Sequence, residues 1–305
     1  MTGVQTCALP IFGQSVHGDD VCFDGSLELH GDAADWRLRR RPAVVNAESA
    51  EPSRRVVLLG ASNVTRGIAT VLTACRQCWS EPLDVLCAIG HGRSYGRPSR
   101  VFGRRLPGIV ECGIWEAIGQ RRPLPSAALI TDIGNDILFG ASVDTIVGWV
   151  AQAMDRLAER GAAMIVTELP LESVARLSPA RFRLFRRLLF PKSTVEFSQA
   201  MQMAGELNER VIALAKRHQA QIVRPHLGWY AIDPIHIRYR YFGTAWPELL
   251  RGWNAAAAKV PVEHSWKLWL KLRTRRPLQQ RIFGLEMQTP QPACCFADGT
   301  RVSWY

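Results

Sequence analysis

Between Arg54 and Gly67 a short apolar run, Val56, Val57, Leu58 and Leu59, is bounded by charge on one side and glycine on the other. Such a run reads as a strand of a parallel sheet, buried on both faces. It breaks at Gly60-Ala61-Ser62-Asn63, a tight turn, and Val64, Ile68, Leu72 and Cys75 then recur at helical spacing. The same alternation continues along the chain. Leu83 to Ile89 is a second strand running into the glycine-rich loop Gly90 to Gly96, and Ile109 to Ile118 is expected to be helical. Ala127 to Ile133 is a third strand, ending in Gly134-Asn135-Asp136. Val143, Ile146, Val150, Met154 and Leu157 mark a helix stopped by Gly161, and Met164 to Thr167 is a fourth strand. Phe197, Met201, Ala204, Leu207, Val211 and Leu214 mark a further helix before a short fifth strand, Gln221 to Arg224. The pattern predicts an α/β fold with a five-stranded, doubly wound parallel sheet and right-handed crossovers.

Three stretches fall outside this alternation. Residues 12 to 52 are polar and aperiodic, and Thr2 to Ile11 (TGVQTCALPI) resembles the in-frame translation of a sequencing adaptor, as in an assembled metagenomic gene. Residues 1–52 are therefore expected to be disordered, with their status as native coding sequence in question. Between the fourth strand and its helix lies an insertion, residues 171–192, that sets Arg176, Arg181, Arg183, Arg186, Arg187 and Lys192 among Leu184, Phe185, Leu188, Leu189 and Phe190. It reads as a lid, a contact for anionic membranes, or a solvated helix packed on its own domain. Residues 261–305 form a basic extension with Trp266 and Trp269 between lysines and arginines, and Asp298-Gly299 has the signature of a hairpin turn. The domain proper is then residues 53–260.

Composition changes this picture little. The chain has 305 residues, 47% of them hydrophobic, enough for a sizeable core, and a formal net charge of +11 concentrated in the insertion and the C-terminal extension. No apolar run is long enough for a membrane helix and the N-terminus lacks the form of a signal peptide, so a cytoplasmic location is expected. Cys75 and Cys78 have the C-x-x-C spacing, but no second pair follows at a zinc-ribbon distance, so no metal site is expected.

Polar residues of particular kinds stand after the strand ends: Ser62 after the first, Gly90 after the second, Asn135 after the third, Asp233 and His236 after the fifth. In a parallel sheet these ends open on one edge, and acyl transfer needs these groups. A hydroxyl becomes a nucleophile when an imidazole takes its proton, and a carboxylate holds that imidazole in the right tautomer. Fixed N–H donors, here Ser62, Gly90 and the Asn135 side chain, would hold the developing oxyanion. Each residue also has a plainer reading: Ser62 or Asn135 as a helix cap, Gly90 as a turn glycine with Gly92 as the donor, and His236 as a surface histidine. His91 is expected at the surface and Asp136 as a structural hydrogen-bonder.

Taken together, the blocks GASN at Gly60 to Asn63, the Gly90 loop, GND at Gly134 to Asp136 and DPIH at Asp233 to His236 resemble the SGNH hydrolases, the GDSL-type esterases and lipases, over roughly residues 54 to 254. The resemblance implies a flavodoxin-like three-layer sandwich and hydrolysis of an ester, thioester or acetyl bond without cofactor or metal. It further implies Ser62 as nucleophile, His236 as base, Asp233 as acid, and Gly90 and Asn135 as oxyanion donors. Ala61 stands where the name-giving motif has aspartate, and the third block is GND where the family has GxND. The substrate expected is a small-molecule acyl ester, with weak contact to anionic surfaces through the basic segments and no specific nucleic acid. The rival expectation is an SGNH-like module of little catalytic power that binds anionic polymers or membrane surfaces.

Overall fold

The structure, a computed structural model, describes residues 50–101 and 103–305. Most of the segment expected to be disordered therefore lies outside the described residues. Its last three positions do not: Pro52 is buried, and Arg301 donates to Glu51 at 2.5 Å.

In chain order the elements are β1 (Arg54–Leu59), α1 (Ser62–Cys78), β2 (Leu83–Ala88), β3 (Ser99–Val101), β4 (Arg104–Leu106), α2 (Ile114–Gln120), β5 (Ser126–Ile130), α3 (Asn135–Leu138), α4 (Val143–Ala158), β6 (Ala163–Thr167), α5 (Leu171–Val174), α6 (Pro179–Leu189), α7 (Phe197–Arg217), β7 (Gln221–Val223), α8 (Phe242–Leu249), α9 (Trp266–Arg273), β8 (Gln279–Ile282), β9 (Leu285–Gln288), β10 (Cys294–Cys295) and β11 (Arg301–Trp304). Strands β2, β1, β5, β6 and β7 lie side by side in that order, all parallel. This is the expected five-stranded sheet, in the 2-1-3-4-5 order of flavodoxin-like folds. One face is covered by a cluster including Ile146, Met154, Leu207 and Val211 from α4 and α7. The other is covered by Ile68, Leu72, Phe242 and Trp246 from α1 and α8. The result is three layers, helix, sheet and helix.

The sheet is larger than expected. The C-terminal stretch adds β11, parallel to β2 with Val302 opposite Val85, and β10, antiparallel to β11, to make seven strands. The turn at Gly299, with φ +88°, joins these last two, as the Asp298-Gly299 pair predicts. A second, four-stranded sheet runs β3-β4-β8-β9. The segment Ile109 to Ile118 is not one helix. A 3-10 turn, Ile109–Glu111, precedes α2, with Cys112 and Gly113 between them.

Candidate active site

A backbone break after β5 sets the site. The strand expected to reach Ile133 ends at Ile130, because Asp132 takes a left-handed conformation with φ +58°. That turn aims its carboxylate across to the start of α1. There Oδ2 accepts from the backbone N–H groups of Ala61 (3.0 Å) and Asn63 (2.9 Å). A helix start leaves its first N–H groups without intrahelical partners. A carboxylate on the neighbouring strand end satisfies two of them and complements the dipole. Ser62 is thereby relieved of the capping role that its position suggests.

Its hydroxyl faces His236 instead. Ser62 Oγ lies 2.7 Å from His236 Nε2, and His236 Nδ1 lies 2.6 Å from Asp233 Oδ2. The other Asp233 oxygen accepts from the backbone N–H of Ile235 and of His236 at 3.2 Å, so the short DPIH turn fixes acid against base. Burial would raise the Asp233 pKa, but the hydrogen bond and charge of His236 outweigh it, and the carboxyl stays below its ordinary value. An ionised Asp233 requires Nδ1 to carry the proton, which leaves Nε2 free to face the serine.

Asn63 ties the two halves of this arrangement together. Its side-chain amide donates to Asp132 Oδ1 (2.7 Å) and to the carbonyl of Ile235 (2.8 Å), while its Oδ1 accepts from Ile237 N–H (2.9 Å). The residue after the serine therefore grips both flanks of His236. Neither this role nor that of Asp132 is legible in the sequence, where Asn63 stands out only within the GASN block and as a residue type common at helix starts. The available signal was an aspartate before Gly134-Asn135, since Asp is among the few residues that tolerate positive φ.

Asn135 opens α3, and its Nδ2 is buried without a hydrogen-bond partner among the described residues. It lines the same cavity as Ser62. A buried amide donor left open costs free energy unless something fills the space before it. Gly90 lies just past the end of β2, at the sheet edge where Ser62 sits, and Gly60 N–H donates to Ala88 O at 3.2 Å. A Cβ at Gly90 would come within 2.5 Å of Leu106 Cδ1, so a larger residue there would require that side chain to shift. Gly90 is not among the residues that line the cavity. His91 beside it is exposed.

Asp136 is buried and takes no part in this chain of contacts. It accepts from Ser94 Oγ and from Tyr95 N–H (2.8 Å), joining the glycine-rich loop to α3. Burial pushes its carboxyl up to about 6, against the pull of these bonds.

The cavity in front of Ser62, of about 150 Å³, is walled by α3, by the segment after β6 with α5, and by α6 and α7. The basic insertion thus roofs the site. Phe182 of α6 is buried against Phe197 (ring centroids 5.3 Å apart), and Phe190 meets Phe139 edge-on at 5.1 Å. Its opposite face carries Leu184 and Leu188, which are exposed. No group of three or more His, Cys, Asp or Glu able to hold a metal occurs among the described residues. Among them, too, no helix is long and apolar enough to cross a membrane.

No family model matches the chain, and no curated protein matches it. Solved structures do. A psychrotrophic esterase from Pseudoalteromonas, at TM-score 0.42 and 10% identity, covers 65% of this chain and 95% of its own. A GDSL-like lipase from Bacteroides thetaiotaomicron, at 0.44 and 15%, covers 69% and 94%. An esterase of the SGNH-hydrolase family, AlinE4, at 0.39 and 16%, covers 69% and 98%. The chain resembles SGNH hydrolases.

Proposed function

We propose that this chain is a serine hydrolase that cleaves an ester, thioester or acetyl bond through an acyl-enzyme. The observation that carries the reading is the continuous hydrogen-bonded series Ser62–His236–Asp233, at 2.7 and 2.6 Å, placed at the mouth of a cavity. Ser62 Oγ attacks the acyl carbonyl as its proton passes to His236 Nε2, and Asp233 stabilises the imidazolium. The carbonyl oxygen, now an anion, is received by the Ser62 N–H and the open Asn135 amide. Collapse of the tetrahedral intermediate expels the alcohol or thiol, which takes the proton from His236. Water, deprotonated by the same imidazole, then releases the acid and restores Ser62.

A fluorophosphonate probe tests this directly, since it phosphonylates only an activated serine. Labelling at Ser62, lost in Ser62→Ala along with hydrolysis of p-nitrophenyl esters, is the expected result. Labelling of the wild type elsewhere, or none, would sink the reading.

A second reading has its own observation. Leu184 and Leu188 on α6, and Trp266 and Leu270 on α9, are exposed among arginines and lysines, the pattern of a surface that meets anionic lipid or polymer. A module of this kind would bind anionic vesicles with an affinity that falls steeply with salt and would leave Ser62 unlabelled.

A further inference from the structure

The loop after β2 holds a cation that stability alone does not call for. Arg93 is fully buried, and its guanidinium donates to main-chain oxygens: Nε to Pro107 O at 3.3 Å, Nη1 to Ile89 O at 3.3 Å and to Tyr305 O. Among the described residues no Asp or Glu side chain pairs with it, and its Nη2 has no partner. A buried charge with an unused donor costs free energy that an apolar side chain of similar length would not. What the arginine supplies is a grip on one peptide unit. Gly92, at φ +59°, turns the chain back so that Arg93 N–H donates to Gly90 O at 3.1 Å, and the Arg93 stem lies beside Gly90.

That grip decides where the Gly90 N–H points. In a planar trans peptide the C=O and the N–H point in opposite directions. The peptide between Ile89 and Gly90 has its C=O on the β11 side, where Nη1 binds it together with Tyr305 O. Its N–H therefore points to the β1 side. The preceding hydrogen bonds alternate in the same sense: Cys87 O accepts from Tyr305 N–H at 2.9 Å, and Ala88 O accepts from Gly60 N–H at 3.2 Å. Beyond Gly60, β1 runs on to Ser62, and the Gly90 N–H has no acceptor among the described residues. The cavity lies on the other flank of Ser62, walled by segments that follow β5 and β6, so Gly90 does not line it.

We propose that Arg93 is a positioning residue: by holding the Ile89 carbonyl it aims the Gly90 N–H at the Ser62 side of the sheet, as a third donor to the oxyanion. The proposal rests on the hydrolase reading above. A cation on the carbonyl oxygen also polarises the amide, which makes its N–H a stronger donor. Arg93 itself touches no substrate.

The test uses the full chain with Arg93→Met, which keeps the stem and removes the donors, and Arg93→Lys, which returns one cationic donor. Arg93→Met should lower kcat on a p-nitrophenyl ester about 10²-fold with KM little moved, the scale of a misplacement near 1 Å. Arg93→Lys should recover at least tenfold of that loss. A trifluoromethyl ketone forms an anionic adduct on Ser62, and its affinity should fall in step with kcat/KM in Arg93→Met. The matching alcohol, which forms no oxyanion, should bind as to wild type, and the pH profile set by His236 should not move. Equal losses on ketone and alcohol, a shifted profile, a lysine no better than methionine, or kcat within about twofold of wild type would overturn the proposal. Wild type with [15N]glycine provides a check that needs no variant to fold: the Gly90 amide proton should move downfield when the ketone adduct forms, and an unmoved resonance would overturn the proposal as well. Wild-type Ser62 left unlabelled by fluorophosphonate would instead overturn the hydrolase reading beneath it.

Discussion

Asp132 and Asn63 are joined twice, by the Asn63 backbone N–H to Oδ2 at 2.9 Å and by its side-chain amide to Oδ1 at 2.7 Å. Because the Asn63 amide also holds Ile235 and Ile237, a carboxylate at the end of β5 sets the distance between a serine on α1 and a histidine on the DPIH turn. Asn63→Ala should therefore lower kcat about 10²-fold, the loss typical of a misplacement near 1 Å, with KM little moved. It should also lower stability by about 1–3 kcal/mol, because buried backbone groups lose their partner. Steady-state kinetics beside a urea titration would show it. An unchanged kcat in the folded variant would mean that the His236 turn holds its place without Asn63.

Asn135→Ala removes the open amide at the carbonyl end of the cavity. The expected loss is about 10²–10³-fold in kcat, as for an oxyanion donor used chiefly in the transition state. If the loss fell on KM alone, the amide would be a substrate contact of the ground state and the oxyanion would be held elsewhere.

Asp233→Asn keeps the shape of the DPIH turn but frees His236 to take the tautomer with its proton on Nε2. A fall of about 10⁴-fold in kcat is expected, on the scale of the same change in serine-protease triads. Near-normal turnover would make Ser62 and His236 a dyad. In the wild type the depressed Asp233 pKa has a stability consequence as well. Its share is present above the ordinary carboxylate pKa and is lost as pH falls through the lower, folded value.

Asp136 should behave in the opposite way. Its carboxyl titrates at about 6 in the fold against 3.8 in the open chain, so between those values the folded form binds more protons. Stability should fall as pH rises from about 4 to about 6, by roughly 3 kcal/mol in all for this group. Asp136→Asn should lose that share of the slope while shifting the whole curve by a constant amount for its altered bonds to Ser94 and Tyr95. Urea midpoints across the range decide it: parallel curves for wild type and variant would show that Asp136 is not the group responsible.

The parts of the fold legible in the sequence are those with a period. Continuous apolar runs gave β1, β2, β5 and β6 to within a few residues, and helical spacing gave α1, α4 and α7. What escaped is pairing between distant segments. The strand β11 alternates Arg301 and Ser303 with Val302 and Trp304 after the Asp298-Gly299 turn, but nothing local says which sheet it joins; its place is fixed by β2, a distant partner. Likewise Ser62, His236 and Asp233 could be named because each has a chemistry recognisable alone. Asn63 and Asp132 act through geometry, and the deciding term there is a positive φ at Asp132 that no residue type announces by itself. The insertion showed its charge in the sequence, but which side of α6 Phe182 would face depended on where the helix docked.

The pairing of β11 with β2 has a consequence for how this molecule reaches its native state. Arg301 sits opposite Asp84, and almost the whole alternating α/β region lies between them in sequence. Contacts of such long range close late and slowly, because a large loop must be ordered before they reward it. Until then β2, whose apolar residues are fully buried in the finished protein, is an open edge able to pair with another chain. The refolding yield should therefore depend on protein concentration.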